Sequence, residues 1–477
     1  MNIKLSCYHL ILFYFAFLVT STEVFAKETD SNLASFCPQQ LPEKIDSILK
    51  KTVDGSRWGI MIQSSISETT LYHRNGDQFF IPASNVKLFT TAAALNLLSP
   101  QFEIITPIFA QGTAPNLEQL QLIGKGDPSL SSNDLEQLAA QLKKQGVRSI
   151  ETLVLEAGYF ETPAINSTWE WEDVYAAYGT AVNSLILDEN AVTLTLRPQT
   201  IGKPVKADWD NPIAASQWTL NGDAITAPAN TDYQVELRRK FGTLELNVRG
   251  TLPQNIEADI WQLAIPNPDY YFRDVLLHKL GENGITVSQV QFFNSDAMAV
   301  KPELMLQQFA SPPLKQLIKE MNRNSNNLYA EALLKVLIEE VGENAIQEAL
   351  PEISADNYSL ADGSGLSRRN LATPRAIAQL LQIMHDSPYA NVFQSSLAVA
   401  GVNGTLKNRF QETPLQGNLY GKTGTLTGIS ALSGYVNLPQ YQQLVFTVMV
   451  NHSQQFASQQ RAIIDEIVLL LSKLKEC

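Results

Sequence analysis

Residues 82–98 read PASNVKLFTTAAALNLL, and this stretch decides how the rest of the chain is interpreted. Its apolar residues predict a helix that opens at Pro82-Ala83-Ser84 and ends before Pro100. Ser84 then lies at the helix N-terminus, and Lys87 lies one turn further on the same face, within reach of the serine hydroxyl. The helix dipole and burial both lower the pKa of a lysine, so Lys87 could act as the base for a Ser84 nucleophile. The alternative is an ordinary serine cap beside a solvent-exposed lysine.

Two more short motifs follow in a fixed order, Ser325-Asn326-Asn327 and Lys422-Thr423-Gly424. The first lies between two predicted helices, at 314–322 and 328–341, where either an active-site loop or a simple turn is expected. The second lies in a predicted strand, 418–427, where an ammonium and a hydroxyl could bind a carboxylate. Its glycine would let a ligand backbone approach closely.

Each motif alone is weak, because chance matches occur in the same chain. Ser472-Lys473-Leu474-Lys475 also has the spacing of a serine followed by a lysine three residues later, and Ser131-Ser132-Asn133 resembles the second motif but precedes a helix. The ordered set of three therefore carries the prediction. It indicates an enzyme that transfers an acyl group to serine.

Composition narrows the class of protein further. The 477 residues are enough for two or three domains, and a formal charge of −13 argues against nucleic acid as the main partner. The five histidines are scattered and there is no Cys-x-x-Cys pair, so neither a metal site nor a cofactor is predicted. No feature of the sequence indicates an oligomeric state.

The N-terminus resembles a secretion signal. Lys4 precedes the apolar stretch 8–20, and Val24-Phe25-Ala26 fits a cleavage site, so residues 1–26 are predicted to be a cleaved signal peptide rather than a membrane anchor. No later stretch reaches membrane-spanning length. The predicted location is periplasmic or otherwise extracytoplasmic. There Cys37 and Cys477 would be either a disulfide or two unrelated thiols.

The segment 105–311 differs from the rest of the chain in its sequence pattern, which predicts short strands, helices near 134–145 and 269–281, and frequent turns. It predicts an inserted α/β region of two subdomains between the first and second motifs. The rest, 27–104 and 312–477, would then form one domain from both chain ends.

With these motifs in place, the chain resembles the D-alanyl-D-alanine carboxypeptidase/endopeptidases, the low-molecular-mass class C penicillin-binding proteins. Further matches are Gly124-Lys125-Gly126-Asp127-Pro128, the stretch 362–368 (DGSGLSR), the stretch 401–406 (GVNGTL) and the stretch 421–436. The resemblance implies an α+β fold with a β-lactamase/transpeptidase-like domain, in which a five-stranded antiparallel sheet lies between helices. The first and last helices of that fold pack side by side, which favours a Cys37–Cys477 bridge.

The resemblance also implies the roles of the site residues. Ser84 would attack a D-Ala-D-Ala or cross-link amide of a peptidoglycan stem, Lys87 would accept its proton, and Ser325 would relay a proton to the leaving amine. Asn327 would bind Lys87 or the substrate amide, and the backbone N–H groups of Ser84 and Thr425 would form an oxyanion hole. The terminal carboxylate would be bound by Lys422, Thr423 and Thr425, with Gly424 between them. β-Lactams would be covalent inhibitors.

Relatives that bind diaminopimelate pair an arginine of the DGSGLSR motif, here Arg368, with an acid of the inserted region. The candidate loop is 161–173, and its sequence does not single out which acid is used. Two other functions fit the sequence less well. A β-lactamase would need a Glu-x-x-Leu-Asn pattern between Ser325 and Lys422, which is absent, and a non-catalytic penicillin-binding scaffold would be expected to have lost a motif residue, and none is lost.

Overall fold

A computed structural model describes residues 35–50, 52, 55–293 and 304–477. The predicted signal peptide, 1–26, lies outside this part of the chain. Within the described ranges, no helix combines the length and the apolar character needed to cross a membrane.

Eleven α-helices and twenty-one strands form within the described residues. The helices are α1 Leu41–Leu49, α2 Val86–Leu98, α3 Ser132–Lys144, α4 Pro212–Ala215, α5 Pro268–Glu282, α6 Leu314–Arg323, α7 Asn327–Val341, α8 Ala345–Ala349, α9 Pro374–Asp386, α10 Ala390–Ser396 and α11 Ala457–Leu471. The strands are β1 Arg57–Ser64, β2 Thr70–Arg74, β3 Ile105–Thr113, β4 Asn116–Ile123, β5 Ser149–Glu156, β6 Ala191–Arg197, β7 Lys206–Trp209, β8 Thr219–Gly222, β9 Ile225–Ala227, β10 Glu236–Arg239, β11 Glu245–Arg249, β12 Thr251–Pro253, β13 Asp259–Ala264, β14 Thr286–Phe293, β15 Leu304–Ala310, β16 Tyr358–Ser359, β17 Leu371–Ala372, β18 Ala398–Val399, β19 Leu419–Leu426, β20 Ile429–Val436 and β21 Leu444–Asn451.

Strands from both ends of the chain form one antiparallel sheet in the order β18-β19-β20-β21-β1-β2. The five-stranded sheet of the sequence prediction is therefore present, and the structure adds a sixth strand of two residues, β18, at its edge. Every residue of β20 and β21 is buried. Continuous burial is expected because helices cover both faces of this sheet.

Alternate residues of these strands point to opposite faces, and each face has its own apolar core. Met449 packs with helices α2, α6, α7, α9 and α10 on one face. Val448 and Val450 pack with α1 and α11 on the other face. Helix α2, which follows Ser84, therefore belongs to the first layer, and the ten residues from Val86 to Leu95 are all buried.

The strands between 105 and 310 form separate sheets. Five of them make a mixed sheet, β14-β5-β4-β3-β15, and the parallel pair β4–β5 is joined through α3. Smaller sheets, β13-β6-β7, β10-β11-β8 and β12-β9, lie within 191–264. Phe160, Val182 and Ile186 from this segment pack into the core around α2 and α7, so the segment is anchored to the layer that holds α2.

The predicted boundaries of helices and strands differ from the structure by one or two residues: the predicted strand 418–427 is Leu419–Leu426, and the predicted helix near 134–145 is Ser132–Lys144. The final helix, α11, ends at Leu471. Beyond that end, the backbone N–H of Lys475 donates to the carbonyl of Phe36 at 3.2 Å. The chain after α11 therefore pairs with the segment around Phe36 and does not continue the helix.

Cys37 and Cys477 form a disulfide, with their Cα atoms 5.8 Å apart. The bridge joins positions 440 residues apart in the sequence. It also lies beside the contact between Phe36 and Leu474, so the first described residues and the last ones are fastened at one place. The disulfide, one of the two states left open by the sequence, is confirmed.

Replacing both cysteines by serine should lower the free energy of unfolding by about 2–5 kcal/mol, because the bridge restricts the unfolded chain over almost its whole length. Urea denaturation with and without reductant measures this loss. The double variant should be insensitive to reductant. Two titratable thiols in the unfolded, unreduced protein that begins at Lys27 would contradict the bridge.

Candidate active site

The candidate nucleophile lies on a tight turn. Ser84 is the middle residue of a short 3-10 helix, Ala83–Asn85, that leads directly into α2. Ala83 has a φ of +48°, in the left-handed region that residues with a Cβ atom rarely adopt. Such strain persists only where the surroundings enforce it, and it is common at functional sites. Two glycines allow the enforcing contacts: a Cβ on Gly365 would lie 1.9 Å from the carbonyl oxygen of Ala83, and one on Gly424 would lie 2.8 Å from that of Pro82.

Lys87 is buried beneath Ser84, as the sequence predicted. Its Nζ lies 3.3 Å from Ser84 Oγ and donates to Asn327 Oδ1 at 2.6 Å and to the carbonyl oxygen of Ser364 at 2.7 Å. Its side chain is 0% exposed. Of the two contacts expected for Asn327, the structure has the one with Lys87.

Burial gives Lys87 the protonation behaviour that a base needs. It lowers the pKa of the amine to about 7, although the carboxylates of Asp362 and Glu331 act in the opposite direction. A substantial fraction of Lys87 is therefore neutral near neutral pH, and a neutral amine can accept the serine proton.

The second motif forms a loop that meets the third motif. Ser325 has a φ of +59°, and its Oγ accepts a hydrogen bond from Lys422 Nζ at 2.8 Å. The next residue, Asn326, caps α7 by accepting from the N–H of Tyr329 at 3.3 Å. The loop therefore points its serine at Lys422 and its second asparagine, Asn327, at Lys87.

Lys422 lies in β19 and is 0% exposed. Burial lowers its pKa well below the ordinary value of lysine, and repulsion from Lys87 lowers it further. A carboxylate placed beside Lys422 would reverse part of this effect by favouring the ammonium form. Thr423 Oγ1 donates to Thr405 Oγ1 at 2.8 Å, which brings the GVNGTL stretch to the site.

Strand β19 also runs past the serine turn. An added Cβ at Gly424 would lie 3.2 Å from the backbone nitrogen of Ser84, so the glycine is required by the turn itself rather than only by a ligand. The following residue, Thr425, is exposed and pairs in register with Ser430 of β20. The two backbone N–H groups proposed for the oxyanion hole, those of Ser84 and Thr425, therefore come from adjacent segments.

Arg368 lies at the edge of the site and connects three parts of the chain. Its Nε lies 3.0 Å from Glu170 Oε1, and its guanidinium donates to the carbonyl of Thr427 at 3.2 Å. Glu170 belongs to the candidate loop 161–173, so the structure selects this acid as the partner of the arginine. Asp173 of the same loop accepts from the hydroxyl of Tyr178 at 3.0 Å.

The inserted region supplies contacts that the sequence interpretation missed. The carbonyl of Tyr178 accepts from Asn327 Nδ2 at 2.8 Å, and Glu189 Oε2 accepts from Asn326 Nδ2 at 2.8 Å. Glu189 lies in a turn, Asp188–Asn190, whose three residues have φ values of 49°, 56° and 50°. Backbone contacts and strained turns leave little trace in a single sequence, so neither residue could have been chosen from it.

This fold and this arrangement define a serine acyl-transfer enzyme with two buried lysines. The sequence from 41 to 474 matches the D-Ala-D-Ala carboxypeptidase 3 (S13) family. The chain belongs to that family, which confirms the resemblance inferred from the motifs.

Comparisons with individual proteins agree with this family assignment. A D-alanyl-D-alanine carboxypeptidase from an Actinomadura species is 31% identical over 438 residues, which cover 86% of this chain and 81% of that protein. The crystal structure of penicillin-binding protein 4 from Haemophilus influenzae superposes with a TM-score of 0.78 at 25% identity, covering 91% of this chain and 99% of that one. The same protein in complex with a β-lactam superposes with a TM-score of 0.73 at 25% identity, over 91% of this chain and all 100% of that one. The transpeptidase-like fold expected from the motifs is thereby confirmed.

Proposed function

We propose that this protein is a serine D-Ala-D-Ala carboxypeptidase and endopeptidase that acts on peptidoglycan peptides through an acyl-enzyme on Ser84. The observation that carries the proposal is the buried Lys87, whose Nζ lies 3.3 Å from Ser84 Oγ. Burial lowers the pKa of this lysine to about 7, which suits a base. Family membership supports the carboxypeptidase reaction. The endopeptidase reaction has the same acyl donor and differs only in the leaving amine.

In the acylation step, neutral Lys87 takes the proton of Ser84 while Oγ attacks the carbonyl carbon of the penultimate D-alanine. The negative charge that develops on the carbonyl oxygen is stabilised by the N–H groups of Ser84 and Thr425, each contributing about 3 kcal/mol in the transition state. The C–N bond breaks as the leaving amine takes a proton through Ser325 Oγ, which Lys422 Nζ contacts at 2.8 Å. Water then hydrolyses the ester.

Two charged groups at the edge of the site would select the stem peptide. Arg368 and Glu170 form a pair of opposite charges at 3.0 Å, and their side chains remain 33% and 53% exposed. A side chain that ends in both a carboxylate and an ammonium would match this pair, with its carboxylate on the arginine. We propose that the third residue of the stem is diaminopimelate-like.

The disulfide and the substrate both support an extracytoplasmic location. Disulfides persist in oxidising compartments, and peptidoglycan lies outside the cytoplasm. The apolar N-terminal stretch supports export through a signal peptide of residues 1–26.

The function is tested by incubating the purified protein with two substrates, a peptide ending in D-Ala-D-Ala and a cross-linked muropeptide dimer. Release of D-alanine from the first, and of monomers from the second, should be read by mass. Release from the peptide without cleavage of the dimer would limit the activity to carboxypeptidase. Rapid turnover of penicillin in place of a lasting adduct would instead favour a β-lactamase.

The contact between the inserted region and the catalytic loop leads to a separate prediction. Glu189→Ala should lower the penicillin acylation rate by about threefold to tenfold, because Asn326 loses a hydrogen bond to a carboxylate and the loop gains freedom. Glu189→Gln should restore much of the rate, since the amide oxygen can still accept. The acylation rate is measured with a fluorescent penicillin.

Glu68 offers a matched control. It is also exposed and also has a φ of 56°, but it lies in the turn between β1 and β2. Glu68→Ala should leave acylation unchanged. Equal rates for Glu189→Ala and Glu68→Ala would show that the contact between Glu189 and Asn326 does not position the loop.

A further inference from the structure

A buried acid lies one turn beyond the second motif. Glu331 follows Asn327 by four residues on α7, so the two side chains share a helix face. It is 4% exposed, and its Oε1 accepts from the backbone N–H groups of Gly363 and Ser364 at 3.1 and 2.8 Å. The roles proposed so far make no use of this carboxyl group.

The loop segment that Glu331 holds also binds the candidate base. The carbonyl oxygen of Ser364 accepts from Lys87 Nζ at 2.7 Å, and the carbonyl of Gly363 accepts from Thr90 Oγ1 at 2.8 Å. A Cβ at Gly363 would lie 2.8 Å from the Cβ of Leu334, so the loop is pressed against α7. The loop therefore has Glu331 on one side and the base on the other.

We propose that Glu331 is a positioning residue for Lys87: its carboxyl group fixes the loop segment Gly363-Ser364, whose Ser364 carbonyl orients the lysine amine, and its charge sets the pH at which that amine becomes a base. The proposal deepens the proposed serine peptidase function and rests on it. Glu331 does not touch the reacting atoms, so it acts only through the loop and through its charge.

The charged groups around Glu331 and Lys87 determine whether Glu331 raises or lowers the pKa of the lysine. Burial, together with the carboxylate of Asp362, raises the pKa of Glu331 to about 7, although the hydrogen bonds from Gly363 and Ser364 act in the opposite direction. Lys335, on the same helix, has a pKa lowered by burial to about 8, with Glu331 acting against that shift. On the other side, Lys422 faces Lys87. Ionised Glu331 favours the ammonium form of Lys87 and so holds the pKa of the base up.

Glu331→Gln separates the two parts of the proposal. The glutamine keeps an oxygen that accepts from both N–H groups but removes the charge, so the pKa of Lys87 should fall. Acylation needs the neutral amine, and its rate therefore rises with pH through that pKa. In the variant, the acid limb of the penicillin acylation rate between about pH 5 and pH 9 should move to lower pH by about one unit, with the plateau rate within about threefold of wild type.

Glu331→Leu removes the acceptor as well and should lower the plateau rate at least about tenfold, with partial rescue in the glutamine variant. Glu339→Gln, which removes an acid two turns further along α7, is the control and should leave the profile unchanged. An acid limb that stays in place in Glu331→Gln would overturn the proposal, even if the leucine variant fails to fold. Failure of the wild-type protein to be labelled at all would instead reject the serine peptidase function.

Discussion

Ser84→Ala should abolish covalent labelling by penicillin and reduce peptide hydrolysis by about a millionfold, the loss seen when a serine nucleophile is removed from its catalytic set. The change deletes one oxygen from a partly exposed side chain, so the fold should survive. Lys87 would keep its bonds to Asn327 and Ser364, which hold it without the serine. Gel fluorescence after labelling, with a thermal melt as the check on folding, measures both effects.

The chain contains its own matched control for this experiment. Ser472 has a lysine three residues later, as Ser84 does, but its hydroxyl donates to the carbonyl of Leu469 at the end of α11. Ser472→Ala should be labelled at the wild-type rate. Normal labelling of the Ser84 variant would contradict the assignment of the nucleophile, whatever the control shows.

Lys422→Ala should cost about 2–5 kcal/mol of transition-state binding, since a substrate carboxylate would lose a desolvated partner. That range corresponds to about 30-fold to several thousandfold in kcat/KM. The lysine also donates to Ser325 Oγ at 2.8 Å, so the loss should extend to kcat through the relay and not be confined to KM. Steady-state kinetics on a peptide ending in D-Ala-D-Ala separates the two parameters.

The next residue of β19 provides a comparison for the lysine variant. Thr423→Val keeps the shape of the side chain and removes one hydroxyl, so it should weaken binding by much less than loss of the ammonium. A change of less than about tenfold for Lys422→Ala, near 1.4 kcal/mol, would argue that the lysine has no role in binding the carboxylate.

The sequence predicted the parts of the site that depend on local order. A serine and a lysine three residues apart at the start of an apolar helix must share a face, so the contact of Ser84 with Lys87 follows from helix geometry. The motifs around Ser325 and Lys422 were placed correctly on a loop and a strand. The contact between Ser325 and Lys422 was not predicted, because no spacing rule brings residues 97 positions apart together.

Other features of the site could be identified only from the structure. Glu331 has the helical spacing from Asn327 that could have drawn attention to it, but most acids on a helix face water, and only burial distinguishes this one. The acid that pairs with Arg368 could not be distinguished by sequence from the other acids of the loop 161–173. The structure selects Glu170 by its distance from the arginine. The positive φ of Ala83 depends on close contacts with a distant loop, at Gly365, and a distant strand, at Gly424, which local sequence does not reveal.

Finding the acylated residue tests directly whether Ser84 is the nucleophile. After brief incubation with penicillin, the intact protein should gain the mass of one penicillin, and fragmentation of its peptides should place that mass on Ser84. The same treatment of Ser84→Ala should add no mass. An adduct on Ser325, Ser472 or any other residue, or no adduct on a folded wild-type protein, would contradict the assignment of Ser84 as the nucleophile.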